Sequence, residues 1–261
     1  MTALIKQDGN EELWRTVFAE GHPVLVTKQK RYRMLPSDPR CKLCEVPFAG
    51  WGGWLMRRRG VHMSNRNPQY CTACDGFLEA FPGGAEVPMS MMMVDIRDSV
   101  ALSGQISATD FAHLVMALRD DMAKILDKTD GFLLEFQGDS VFAVWPPGFV
   151  GQNHAQMALR AADLARQMFT LRSDRAAPVG VAVHTGQVFI GTVSGAGGRF
   201  QGISAFGLEV NILARLAAAA KPGEVLVSAA AYAAAGQPMP IDKQRHESLK
   251  GVETPVEVAA L

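Results

Sequence analysis

Four cysteines and two aspartates carry most of the chemistry that can be read from this chain. The cysteines stand in two pairs, CKLC (Cys41, Cys44) and CTAC (Cys71, Cys74), separated by 26 residues. A C-x-x-C turn points two thiolates at one centre, and two such turns make a tetrahedral S4 site. Redox pairs usually come singly, and structural disulfides belong to oxidising compartments. The spacing therefore predicts a bound metal: Zn2+, with an iron–sulfur cluster as the alternative that spacing alone leaves open. His62, inside the module, would be a fifth ligand to a filled tetrahedron and reads as an ordinary polar residue. The run Arg57–Arg59 can face an anion, although a solvated charge run explains it as well.

Asp139 sits in "DGFLLEFQGDSVFAVWPPGF", where two apolar runs flank a Gln-Gly-Asp-Ser tetrad. That pattern reads as two strands joined by a tight turn at Gly138. An aspartate there is by itself no more than a good turn residue. Asp95, however, ends the buried strand "VPMSMMMVDI". In a β-α-β-β order the first strand and the hairpin are antiparallel neighbours, so the end of one meets the tip of the other. Two carboxylates on one sheet edge suit hard cations such as Mg2+ or Mn2+, and a pair of such ions serves a phosphoryl-type displacement. Asn211 and Arg215, four apart in the helical pattern "FGLEVNILARLAAAA", share one face. Arg215 offers a planar, permanently charged fork for charge developing on a phosphate.

The elements that must position these residues begin with "NEELWRTVFAEGHP", a short amphipathic helix capped by Asn10 and stopped by Gly21 and Pro23. Residues 1–35 read as this helix and a linker, and 36–85 as a Gly-rich, loop-rich metal module that needs its ion for stability. Residues 86–261 read as the larger domain. In it, a capping box at Ser107–Asp110 opens a helix closed by Gly131. "NHAQMALRAADLARQMFTL" is a second helix, and "VGVAVHTGQVFIGTVSG" reads as paired strands around a turn at Thr185–Gly186. The helix of Asn211 follows, then a strand with a short helix, then a closing hairpin. The order β-α-β-β-α-β predicts an α+β, ferredoxin-like sandwich, with hairpins interrupting the alternation that a doubly wound sheet would need.

"MMMVDIRDS", "EFQGDSVFAV", "VAVHTGQVFIG" and "FGLEVNILARLA", in this order and spacing, resemble the class III adenylyl/guanylyl cyclase catalytic domain over roughly residues 86–261. The paired C-x-x-C segment is similar to the cysteine-rich leader of some bacterial cyclase-like proteins. The resemblance implies conversion of ATP or GTP to a cyclic monophosphate and pyrophosphate. Asp95 and Asp139 would bind two Mg2+ or Mn2+ ions, while Asn211 and Arg215 would position the ribose and stabilise the transition state. Glu135 and Ser204 would meet the purine; Ile96, Arg97 and Lys250 would lie at the phosphates. It also implies a homodimer, with the aspartates from one subunit and Asn211 and Arg215 from the other.

Three features depart from the family pattern or conflict within it. Asp98 and Val100 stand where the family has Gly and a hydroxyl residue beside the phosphates; a carboxylate there repels a triphosphate, and Val100 removes a donor. Glu135 can accept from the N1 and N2 donors of guanine, whereas Ser204 occupies a place where bacterial adenylyl enzymes have Thr. Leu208 replaces an Asp after Gly207. The altered phosphate turn, Asp98 and Val100, defines a second expectation, a cyclase-homology domain without turnover that binds nucleotide or dimerises. With Lys and Arg equal to Asp and Glu at 26 each, composition gives no reason to expect a nucleic-acid or membrane partner. The start lacks a secretory core segment and no apolar run reaches spanning length, so a cytoplasmic location is expected.

Overall fold

Alternation of side chains along β1 (Gly84–Ile96) decides which groups enter the core and which face outward. Met92, Val94 and Ile96 are buried, while Asp95 between them points to the opposite face. The structure, a computed structural model, describes residues 9–171, 178–195 and 200–261. After β1 come α5 (Ser99–Gln105), α6 (Ala108–Thr129), β2 (Phe132–Gln137), β3 (Ser140–Trp145), α7 (Pro147–Val150) and α8 (His154–Leu171). Then follow β4 (Val179–Gly195), β5 (Phe200–Phe206), α9 (Leu208–Ala219), β6 (Val225–Ser228), α10 (Ala229–Ala235), β7 (Gln244–Glu247) and β8 (Val256–Ala260). The chain divides into two compact units, Met1–Val87 with Phe189–Ala205, and Pro88–Val188 with Phe206–Leu261.

The sheet has the order β2-β3-β1-β4-β6-β8-β7, with β5 paired to β4. β1 and β3 are antiparallel, β4 and β6 parallel, and β6–β8 and β7–β8 antiparallel. This is the α+β sandwich that the order of elements predicted. Its core is a continuous cluster of Met92, Val94 and Ile96 from β1, Val141, Ala143 and Trp145 from β3, and Leu118, Met122, Ile125 and Leu126 from α6. Alanines of α8 and the valines of β4 and β6 complete it. Met89, Met91 and Met92 are fully buried, so the methionine run fills core space as flexible side chains do. The helix α6 opens as expected: the Ser107 side chain accepts from the Asp110 N–H.

Several local expectations are corrected. Thr185 and Gly186 lie inside the unbroken strand β4, not at a turn. The β-branched Thr185 hydrogen-bonds Ser90 through its hydroxyl at 2.6 Å, and the glycine serves a close approach described below. The left-handed residue after α6 is Asp130, with φ 53°; Gly131 is needed because a Cβ there would stand 2.5 Å from Leu126 Cδ2. The polar turn after Asp95 is followed at once by the helix α5.

In the first unit, α1 (Glu11–Arg15) runs into a π-turn at Thr16–Glu20, followed by α2 (Pro23–Arg33), α3 (Gly50–Arg58) and α4 (Thr72–Ala80). The segment expected to be loop-rich thus holds two helices. Trp14 and Phe18 stack at 5.5 Å. Asn10 does not cap α1 through its side chain; its amide donates to the Pro82 carbonyl at 2.8 Å, a bond 72 residues distant that sequence spacing cannot reveal. No helix among the described residues is long and apolar enough to cross a membrane.

Candidate functional site

The register of β1 against β3 pairs Asp95 with Ser140, which places Asp95 beside the β2–β3 turn carrying Asp139. Gln137 pairs with Ser140, so the connection is the two residues Gly138 and Asp139, with Gly138 at φ 59°. Asp95 and Ser140 share the sheet face opposite the hydrophobic cluster, and the Ser140 hydroxyl donates to Asp95 Oδ1 at 2.6 Å. Asp139 is half-buried, and its Oδ2 is shut off from solvent without a hydrogen-bond partner. An orphaned carboxylate oxygen is rare in a folded protein. Together with an all-oxygen donor set on one edge, it fits a hard divalent cation.

The turn is braced from α6. Arg119 donates to the Gly138 carbonyl at 2.7 Å, and its guanidinium carbon lies 4.7 Å from the centre of the Phe136 ring. Neither contact has a sequence signature, since Arg119 is simply one of several charges on an amphipathic helix. On the neighbouring strand, an irregularity between Leu133 and Glu135 shifts the register of β2 against β3. Such bulges re-aim side chains, and here the shifted residue is Glu135. Its Oε2 accepts from Gln137 Nε2 at 2.5 Å.

Arg97 follows Asp95 by two residues and so shares its face. It forms an ion pair with Asp95 Oδ2 and donates through Nη1 to the Ala218 carbonyl at 2.8 Å. The guanidinium therefore sits at the C-terminal end of α9, where the helix dipole favours a cation. Expected at the phosphates, the Arg97 side chain is instead engaged with Asp95 and α9. Ile96 is buried in the core, so its backbone is what it could offer a ligand. Asp98 adopts φ 54°, ψ 33°. It keeps the left-handed conformation that glycine favours, at a cost of about 1 kcal/mol for a residue with a Cβ. Val100 is exposed.

Asn211 and Arg215 are both exposed on α9, while Ile212, Leu213, Leu216 and Ala217 are buried. A Cβ built on Gly251 would lie 3.8 Å from Arg215 Nη2, so the guanidinium reaches the turn that carries Lys250, itself exposed. Among the described residues no hydrogen bond or ion pair joins Asn211 or Arg215 to Asp95 or Asp139. Ser204 is buried on β5 and belongs to the first unit.

A contact not foreseen from the sequence anchors the start of α9. His184 on β4 is buried, with Nδ1 2.8 Å from Ser228 Oγ and Nε2 2.5 Å from Glu209 Oε2. A Cβ on Gly186 would stand 2.5 Å from Glu209 Cγ, so the glycine leaves room for that side chain to reach His184. Gly186→Ala is expected to push Glu209 off His184 and lower stability by about 1–3 kcal/mol. Thermal unfolding of the variant checks this; a midpoint equal to the parent's would show that Glu209 yields without cost.

The four cysteines are buried, and their sulfurs lie within 4.8 Å of one another. Cys44 and Cys71 Sγ are 3.7 Å apart. A tetrahedron of thiolates with metal–sulfur bonds near 2.3 Å has edges of about 3.8 Å, so the four can hold one ion. Hydrogen bonds from Cys41, Cys44 and Cys74 hold the Cys71 thiol far below its usual pKa, while bonding to Cys41 and Cys71 pushes Cys44 upward. Backbone braces the cluster: the Cys71 N–H donates to Cys41 Sγ at 3.3 Å. Asp75, just beyond, is buried against the Ser64 hydroxyl at 2.7 Å and Arg66 at 3.0 Å.

Residues 85–258 match the model of the adenylate and guanylate cyclase catalytic domain. Over 135 residues the chain is 28% identical to Adenylate cyclase 1 of Rhizobium meliloti (strain 1021), a match spanning 49% of this chain and 20% of that protein. The crystal structure of the adenylyl cyclase CyaB from P. aeruginosa superposes with a TM-score of 0.57 at 23% identity, covering 68% of this chain and 94% of that one. The guanylate cyclase domain of RhGC from Catenaria anguillulae, solved in complex with GTP, gives 0.57 at 17% identity, covering 67% and 95%.

Proposed function

This chain belongs to the adenylate and guanylate cyclase catalytic domain family, and from that premise we propose that it is a nucleotidyl cyclase. In the reaction, the 3′-hydroxyl of a purine nucleoside triphosphate attacks its own α-phosphorus in line. One P–O bond forms, the bond to the β-phosphate oxygen breaks, and pyrophosphate leaves. The single observation that carries this reading is the buried, unpartnered Asp139 Oδ2 beside Asp95 on one sheet edge.

Asp95 and Asp139 would hold two Mg2+ or Mn2+ ions, which when bound stabilise charge on the attacking and leaving oxygens. Asn211 orients the ribose, and Arg215 presents its fork to the α-phosphate as negative charge builds there. The site is completed between two copies of the chain, the aspartates from one and the Asn211–Arg215 pair from the other. The exposure of that pair on α9 supports this assignment. Lys250, on the turn that Arg215 reaches, adds positive charge for the polyphosphate. For the four cysteines we infer Zn2+ rather than an iron–sulfur cluster. Cluster ligands bind separate irons and stand apart around a sulfide core, whereas these four sulfurs lie within 4.8 Å of one another, with Cys44 and Cys71 at 3.7 Å, close to the edge of one tetrahedral ion.

Glu135 matches the donor edge of guanine, while the relative named Adenylate cyclase 1 points to ATP. Purified protein given ATP or GTP, with Mg2+ and then Mn2+, is expected to release a cyclic monophosphate and pyrophosphate, read by mass spectrometry. If the base is read by Glu135, Glu135→Lys should lower the preference for GTP over ATP by at least about tenfold. An unchanged ratio would remove Glu135 from the purine site. A second reading, a domain that binds nucleotide without turnover, is favoured by the Arg97–Asp95 pair, which already gives Asp95 a cation, and by the Asp98 carboxylate. Nucleotide binding with no product, in folded dimer, would establish it.

A further inference from the structure

The helix α3 is inverted with respect to an ordinary surface helix. Its inward face is formed by Gly52, Gly53 and Met56: a Cβ on Gly52 would stand 2.3 Å from the Pro36 carbonyl oxygen, and one on Gly53 would stand 2.4 Å from the Phe48 carbonyl carbon. Its outward face carries the indoles. Trp51 is 62% exposed and Trp54 42%, three residues apart and so on one side of the helix. Tryptophan is normally among the most buried side chains, and a large exposed apolar pair calls for a partner. Met34, 78% exposed, precedes the Pro36 against which α3 packs.

The sequence around α3 is strongly basic, although Arg33, Arg40 and Arg66 are paired with carboxylates. Residues 28–66 contain ten Lys and Arg against two Asp and Glu, a bias hidden by the neutral total. Arg58 and Arg59 are exposed at the end of α3, and Arg58 lies over the Trp54 ring at 4.3 Å. Arg57 is tied to the fold by its bond to the Phe48 carbonyl at 2.6 Å. We propose that the outward face of α3, formed by Trp51, Trp54, Arg58 and Arg59, docks the protein on an anionic lipid surface.

Indoles with arginines on one short helix suit the headgroup layer, where an apolar ring body and a polar N–H are both satisfied. Basic residues beside such a face are attracted by anionic lipid over about a Debye length. Single-stranded nucleic acid fits less well, because a base would need the Trp54 face that Arg58 already covers. A second copy fits less well because the same arginines would meet each other. The expectation that no membrane partner exists rested on the overall charge balance, and that balance does not describe this face. The proposal does not depend on whether the cyclase turns over.

Tryptophan emission gives a direct test, because Trp14 and Trp145 are fully buried and the solvent-sensitive signal comes from Trp51 and Trp54. The full chain, metal-loaded, is titrated with phosphatidylcholine vesicles and with vesicles containing phosphatidylglycerol, at low and high salt. The expected result is a blue shift and co-sedimentation with the anionic vesicles alone, reversed by salt. Trp51→Ala with Trp54→Ala should abolish both. Arg58→Glu with Arg59→Glu, which keeps both indoles, should weaken binding by about tenfold or more. No shift with either vesicle overturns the proposal. So does a shift that appears on raising protein concentration without lipid, or with a single-stranded oligonucleotide in place of lipid.

Discussion

Asp139→Ala is expected to reduce cyclic nucleotide formation by about a thousandfold or more while leaving the protein as stable as the parent, or slightly more so. The two halves of this result have different origins. A ligand to a catalytic ion contributes several kcal/mol to the transition state, and each 1.4 kcal/mol lost is a factor of about ten in rate. Stability goes the other way because Asp139 Oδ2 is buried with nothing to bond it. Removing an unsatisfied carboxylate oxygen removes a desolvation cost.

Asp95→Ala provides the contrast. Asp95 accepts from the Ser140 hydroxyl and pairs with Arg97, which is itself held at the C-terminal end of α9. Its loss should abolish turnover too, but with a drop in stability of about 1–3 kcal/mol from the partners left unpaired. Product assays and thermal unfolding on both variants check the pair. Equal destabilisation by both, or activity retained by Asp139→Ala, would mean that Asp139 is only a turn residue.

Much of this arrangement was legible in the chain, for a physical reason. Apolar runs for β1 and β3, a Gly-Asp turn and a capped helix are local patterns, and the β-α-β-β order they define is what pairs β1 with β3 and brings Asp95 beside the hairpin. What could not be read depends on contacts between distant segments. Arg97 stood next to Asp95 in the sequence, yet its role as a counterion follows from α9 placing its last carbonyls nearby. Gly186 carries the same signature as a turn glycine, and was read as one. The distinction lies in Glu209, 23 residues later, whose side chain needs the space. The cysteine segment reads as loops because two of the three buried positions of α3 are glycines and its tryptophans face outward, which weakens the apolar periodicity that identifies a helix.

Removal of the ion inferred at the four cysteines is the second large effect expected. One equivalent of zinc per chain should be found in protein purified without added metal. Chelation, or Cys71→Ser, should unfold much of the unit. The four buried cysteines come from the Cys41–Cys44 turn and from the start of α4, at Cys71 and Cys74. Without an ion, four thiols crowded within 4.8 Å have hydrogen bonds among themselves and the Cys71 N–H as their main recompense. A structural zinc ion contributes on the order of 10 kcal/mol in zinc-finger peptides, comparable to the whole stability of an ordinary domain. Trp14, buried and bonded through Nε1 to the Phe81 carbonyl at 3.0 Å, reports the loss as a red-shifted emission, and elemental analysis counts the metal released. Iron in place of zinc would refute the single-zinc assignment. A chain that keeps its fold and its Trp14 signal after complete chelation would show that the helices, not the ion, hold the module.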